Sequence, residues 1–197
     1  MELKRVLVVD PVDGEYIANI RISGNKIESI AKTGGDFSSI AMPGFVDTHS
    51  HGAVGINCMT MNTRDLERWE EFAVTHGVTS LLPTTVSAEA KEMKRVADLV
   101  SDYVTERPRT AVREVHFEGP YINPKKRGAQ NPSVIRPATV EELRSVLSDI
   151  VMLITMAPEI EGFLEVLPEI AKREITISIG HTDRKSTRLN SSHVSQA

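Results

Sequence analysis

Residues 43–52, PGFVDTHSHG, run from a Pro-Gly turn through a short apolar strand and leave it by way of two histidines, His49 and His51. The turn after this strand decides the fold class. A doubly wound sheet carries a glycine-rich phosphate turn after its first strand; here the turn HSHGAVGIN opens on imidazoles instead. Downstream, four more apolar strands are expected at VTSLLPTT (78–85), VREVHFEG (112–119), VMLITMAP (151–158) and ITISIGH (175–181). Between them lie amphipathic stretches at 63–77, 87–106, 139–150 and 161–174. Apolar residues recur there at helical spacing, as in Leu66, Trp69 and Ala73 or Val96, Leu99 and Val100. Strictly alternating strands and helices predict a parallel α/β sheet. The polar residues His49, His51, Thr84, Thr85, Glu118, Glu159 and His181 all fall at the downstream ends of strands. That placement matches a (β/α)8 barrel, which builds its site there from several strands at once.

Locally, Gly77 is expected to stop the first helix, and Thr139 with Glu142 has the spacing of a capping box at the start of the third. Upstream of Pro43 the texture differs. RVLVVD, EYIANIRIS and KIESIA, separated by Pro11, Asp13, Gly14 and Gly24-Asn25, predict a small antiparallel sheet with Ile17, Ile20 and Ile22 in alternation.

The chain has 197 residues, 40% hydrophobic and 25% charged, within the range of soluble globular proteins. A net charge of −4 supplies no basic excess for nucleic acid or an anionic membrane surface, so a small-molecule partner is expected. Cys58 is the lone cysteine, the start MELKRVLVVD lacks the apolar core of a signal peptide, and no apolar run reaches a membrane span. A cytoplasmic location is expected.

His49 and His51 are two apart on a strand and therefore share a face, where two neutral imidazoles can hold one ion. A bare His-x-His is more often an ordinary pair of polar residues, and context changes the balance. Asp47, on the same face, is open to three roles: ligand, support for a ligand, or anchor of the loop backbone. Glu118 ends the third strand just before Gly119-Pro120, which holds it at the strand mouth, whereas His116, two residues deeper, reads as a hydrogen-bonded inner histidine. His181 ends the fifth strand beside Gly180. Together His49, His51, Glu118 and His181 form a histidine and carboxylate set suited to zinc, iron or manganese.

PGFVDTHSHG resembles the first barrel strand of the amidohydrolase superfamily. HFEGPYINPKKRGAQNP, TMAPE and SIGHTD resemble successive signatures of its N-acetylglucosamine-6-phosphate deacetylase family, and the likeness runs from Met1 to about Thr182. It implies a metal-dependent hydrolysis of N-acetyl-D-glucosamine 6-phosphate to D-glucosamine 6-phosphate and acetate, with one or two divalent ions per subunit and a homodimeric full-length form. It implies that Glu118 and His181 are metal ligands, that His49 and His51 serve a second metal in members that keep one, and that Ala129, beside Gly128, contacts the sugar through its backbone. Gln130 stands at a substrate-contacting position occupied by His in some members and Gln in others. Lys125, Lys126 and Arg127 read as a solvated basic loop, and Trp69 and Met156 as core residues. The family's proton-shuttling Asp and a further histidine ligand belong to segments that this sequence does not contain. The competing readings are a deacetylase for another amino sugar or an N-acyl amino acid, and a non-catalytic metal-binding barrel.

Five strands cannot close an eight-stranded barrel. The expectation is therefore a small β-domain at 1–42, the first five β/α units at 43–183, and no activity from this span alone. The tail from residue 184 has no apolar periodicity, and DRKSTRLNSSH (183–193) resembles the in-frame translation of a sequencing-library adapter. Residues 184–197, His193 included, are expected to be non-native and are left out of the site.

Overall fold

A computed structural model describes residues 1–184, which form two compact units, Met1–Phe45 and a larger one starting at Val46. The adapter-like tail lies outside the described residues from 185 onward.

The first unit is a four-stranded sheet of β1 (Glu2–Asp10), β2 (Gly14–Ser23), β3 (Lys26–Lys32) and β4 (Ile40–Ala41), in the order β3-β2-β1-β4. The turn between β1 and β2 is encoded locally. The Asp10 carboxylate accepts the N–H groups of Val12 and Asp13 at 2.8 and 2.9 Å, and Gly14 takes a φ of +76° that other residues avoid. β4 is a two-residue parallel addition to β1, pairing Ile40 with Leu7, and is too short to leave a periodic trace in the sequence. Val6, Val8, Ala18 and Ile20 are buried together, with Tyr16 and Ile22 packed against them. The inward row of β2 is thus 16, 18, 20, 22, and Ile17 is out of phase with it, because successive strand residues face opposite sides.

The sheet of the second unit comprises, in chain order, β5 (Phe45–Ser50, whose first residue closes the first unit), β6 (Val78–Thr85), β7 (Val115–Glu118), β8 (Val151–Met156) and β9 (Thr176–Ile179). The connections carry α1 (Thr63–Thr75), α2 (Ala90–Glu106), α3 (Val140–Val146) and α4 (Phe163–Lys172). β6 to β9 pair in parallel, with Thr84 opposite His116, Phe117 opposite Ile154 and Thr155 opposite Ser178. Of the alternating residues of β7, Val115 and Phe117 join the main apolar core with Trp69, Val96, Val100, Leu143, Ile154, Met156 and Val166. His116 and Glu118 share the opposite parity, so the packing that buries one row aims the other at the site.

The helices start where their sequences dictate. Asn62 accepts the Asp65 N–H at 3.1 Å while the Asp65 carboxylate accepts the Asn62 N–H at 3.2 Å, a reciprocal cap for α1. Gly77, at φ +85°, follows the last turn as expected. On α3 only half of the expected box forms. Thr139 Oγ1 accepts the Glu142 N–H at 3.2 Å, but the Glu142 carboxylate turns to Arg136 and Tyr121. Among the described residues no helix is long and apolar enough to cross a membrane.

Candidate metal centre

The downstream ends of β5 and β7 bring three ligand-type side chains together. His49, His51 and Glu118 each offer an atom such that all three lie within 4.8 Å of one another. His49 Nε2 is 3.2 Å from Glu118 Oε1, His51 Nε2 is 3.1 Å from Glu118 Oε2, and the two imidazole Nε2 atoms are 3.4 Å apart. The end of β9 adds His181, whose Nε2 is 3.0 Å from Glu118 Oε1. Glu118 is buried and the histidines are half-buried or exposed, so the carboxylate forms the floor of the cluster and the rings its rim. The group comprises the four residues that the sequence marks as a ligand set.

Two of the three rings are held from behind. His51 Nδ1 lies 2.9 Å from the Thr84 carbonyl oxygen, and His181 Nδ1 lies 2.9 Å from that of Lys126. A carbonyl oxygen only accepts, so both Nδ1 atoms carry the hydrogen and both Nε2 atoms face Glu118. β5 is pinned in two further places. Ser50 N–H donates to Thr84 Oγ1 at 3.0 Å, and His116 Nδ1 donates to the Thr48 carbonyl at 2.8 Å. His116 Nε2 then accepts from Thr155 Oγ1 at 2.8 Å. Burial pushes the His116 pKa down to about 4, so this inner histidine is neutral and acts as a bracket between β5, β7 and β8. Asp47 takes the third of its open roles, accepting the His49 N–H at 3.1 Å.

The charges follow from the geometry. Burial works to raise the Glu118 pKa, but hydrogen bonds from His181 and His51 and the adjacent imidazoles outweigh it and hold the carboxyl well below its usual range. The same contacts hold His51 and His181 above theirs, against partial burial. Glu118 therefore sits ionised in a pocket that favours positive charge opposite it.

Glycines clear the space that β7 and β9 need. A Cβ on Gly119, at φ +78°, would fall 2.2 Å from Ser87 Oγ, and one on Gly180 would fall 2.7 Å from Thr155 Cγ2. The rim between β7 and β9 is closed by Glu159, which accepts from Asn123 Nδ2 at 2.7 Å, from Thr182 Oγ1, and from the Asp183 N–H at 2.7 Å. Lys126 pairs with Asp183 at 2.9 Å, and Arg127 folds back to the carbonyl oxygens of Gly128 and Gln130. Ala129 is exposed on this loop, whereas Gln130 is buried against Glu118. Sequence reasoning missed the backbone carbonyls of Thr48, Thr84 and Lys126, which have no residue signature, and Ser87, whose part shows only once β6 and β7 are side by side.

No family model matches the chain. It is 28% identical over 159 residues to an N-acetylglucosamine-6-phosphate deacetylase of Bacillus subtilis, covering 77% of this chain and 40% of that one. Among solved structures, the N-acetylglucosamine-6-phosphate deacetylase of Thermotoga maritima superposes with a TM-score of 0.85 at 41% identity, over 92% of this chain and 49% of that chain. This chain is a relative of the N-acetylglucosamine-6-phosphate deacetylases. An N-acetylgalactosamine-6-phosphate deacetylase of Escherichia coli O157:H7 is similar at 28% identity over 152 residues, 74% of this chain and 40% of that one. The chain thus spans about 40% of the length of the curated deacetylases it matches. The curled five-stranded sheet and its helices correspond to the barrel of the amidohydrolase type in these deacetylases.

Proposed function

We propose that the natural full-length protein carrying this chain is a metal-dependent deacetylase that hydrolyses N-acetyl-D-glucosamine 6-phosphate to D-glucosamine 6-phosphate and acetate. On this reading it acts in the cytoplasm as a homodimer, residues 43–183 are the first five β/α units of its barrel, and the 197-residue span alone is inactive.

One observation carries the metal part of the reading. His51 and His181 have their Nδ1 hydrogens committed to backbone carbonyls, and both present Nε2 to Glu118 at 3.1 and 3.0 Å. A neutral imidazole in that tautomer has only a lone pair at Nε2, and a lone pair facing a carboxylate oxygen is repulsive unless a cation lies between them. A proton serves when no metal is bound; a divalent ion serves when it is. The donor set suits zinc, iron or manganese. The spacings of 3.0 to 3.4 Å within the cluster are close to the ~3.3–3.6 Å between ligand atoms around a tetrahedral ion with bonds of 2.0–2.2 Å.

Glu118 faces two sets of partners. Its Oε1 meets His49 and His181, and its Oε2 meets His51. Glu118, His49, His51 and His181 are the residues that would hold one or two divalent ions, since both carboxylate oxygens have imidazole partners. A bound divalent ion supplies a water of lowered pKa and polarises the acetamide carbonyl. The backbone carbonyls of Thr84 and Lys126 keep Nε2 of each ring turned inward, and His116 keeps β5 in place. Ala129 offers its backbone to the sugar from the exposed loop. Glu118, encircled by donors, is not a free base, and proton transfer falls to the Asp that the resemblance places in a later segment.

The test is acetate release by the natural full-length protein from N-acetyl-D-glucosamine 6-phosphate, before and after chelation and metal restoration. Activity that disappears with the metal and returns with zinc, iron or manganese supports the reading. Full activity in metal-free protein would sink it. Higher kcat/KM on N-acetyl-D-galactosamine 6-phosphate would overturn the sugar assignment and leave the deacetylase in place.

A further inference from the structure

Gln130 has both ends of its side-chain amide committed inside the protein. Its Oε1 accepts the Ser87 N–H at 2.7 Å, its Nε2 donates to Glu118 Oε2 at 2.5 Å, and the residue is only 7% exposed. The amide orientation is dictated by its neighbours. A backbone N–H only donates and an ionised carboxylate only accepts, so a half-turn of the amide would set N–H against N–H and oxygen against oxygen. Ser87 is anchored in turn, its Oγ donating to the Glu118 carbonyl at 3.3 Å.

The loop is built to present this side chain. Asn123 and Asn131 each cap a single Asn-Pro turn, accepting the N–H groups of Lys125 and Ser133 at 2.8 and 3.1 Å. Between the two turns Gly128 takes a φ of +58°, the Gln130 N–H donates to the Arg127 carbonyl at 3.0 Å, and the Arg127 guanidinium returns a bond to the Gln130 carbonyl at 3.0 Å. Gln130 is fixed on both its backbone and its side chain.

We propose that Gln130 is a positioning residue for Glu118: its amide holds Oε2 and thereby sets the rotation of the carboxylate, leaving Oε1 toward His49 and His181. The inference rests on reading Glu118 as a metal ligand. It departs from a sugar-contacting role for Gln130, because an amide whose Oε1 is bound to Ser87 and whose Nε2 is bound to Glu118 is turned toward the ligand carboxylate. Without it, the Ser87 N–H is buried without its partner and the carboxylate is free to turn.

The test uses the natural full-length protein as wild type, Q130M, Q130A and E118Q. Zn²⁺ affinity is measured by competition with a chromophoric chelator, the Co²⁺-loaded absorption spectrum is recorded, and kcat and KM are determined separately at saturating metal. Q130M, which keeps the shape but neither hydrogen bond, should lose about 10–100-fold in Zn²⁺ affinity and alter the Co²⁺ spectrum, with little change in KM. Q130A should behave alike. Wild-type Zn²⁺ affinity and Co²⁺ spectrum in both variants, with a raised KM, would overturn the positioning role in favour of a substrate contact. E118Q separates the two readings. If E118Q binds Zn²⁺ as wild type does, the metal reading has failed and this inference fails with it; if E118Q loses the metal while Q130M and Q130A keep it, only the inference on Gln130 is overturned. Should Q130A not fold, Q130M and Q130H decide, since Q130H retains an N–H donor and should keep affinity close to wild type where Q130M does not.

Discussion

His49, His51, Glu118 and His181 come from β5, β7 and β9 and their downstream ends, so the cluster depends on sheet register as well as on residue type. Its histidines should not be equivalent. His49 and His51 form a three-residue group with Glu118, while His181 comes from the far strand and shares Glu118 Oε1 with His49. Replacing both His49 and His51 by Ala in the full-length protein should lower bound metal per subunit, read by elemental analysis, while the His181 side keeps its share; unchanged stoichiometry would remove the pair from metal binding. Gly119 offers a second prediction at this scale. Its φ of +78° and the 2.2 Å approach of an added Cβ to Ser87 Oγ mean that Gly119→Ala should lower stability by at least about 1–2 kcal/mol, checked by denaturant melts.

At the level of elements, α3 is tied to the 130s loop by a network rather than by the expected capping box. The Arg136 guanidinium donates to both oxygens of Glu142 at 2.9 and 3.0 Å, and Tyr121 donates its hydroxyl to Oε1 at 2.8 Å. Burial opposes ionisation of Glu142, but these bonds outweigh it and hold its carboxyl below the ordinary value of 4.5. A depressed folded-state pKa stabilises above the ordinary value, and the contribution fades as pH falls through the depressed one. Glu142→Gln should therefore cost about 1.5–3 kcal/mol at pH 7 and progressively less as the pH falls below the ordinary carboxyl value of 4.5. A mutant deficit that stays constant from pH 7 to 3 would contradict this. The same element shows what the sequence could carry. Thr139 at the helix start was legible because a cap is a local contact. The partner of Glu142 was not, because Arg136 and Tyr121 reach it only after the loop has folded. Likewise β5 to β9 and the buried stripe of Leu66, Trp69 and Ala73 were legible from period and spacing, while β4 and the phase of Ile17 were not, since two residues carry no period and Ile17 lies next to an equally apolar row. Of the site, the side chains that meet around Glu118 were readable from strand ends; the carbonyls behind His51 and His181 were not, because any residue supplies a carbonyl.

Across the whole molecule, a small sheet and a run of five β/α strands form separate compact units. β5 and β9 stand at the two ends of the larger sheet, and each has one neighbour within it among the described residues. A bare parallel edge invites pairing with other chains. Residues 1–184 expressed alone should self-associate, eluting well above monomer size in light scattering coupled to size exclusion; a monodisperse monomer with a cooperative melt would contradict that. Metal binding by Glu118 and its three histidines is decided by anomalous diffraction at a metal absorption edge from crystals of the natural full-length protein. At least one strong anomalous peak is expected within bonding distance of a Glu118 carboxylate oxygen and of a histidine Nε2 from His49, His51 or His181. Metal found only at other residues, or an active enzyme with no peak at Glu118, would show that this cluster is not the metal centre.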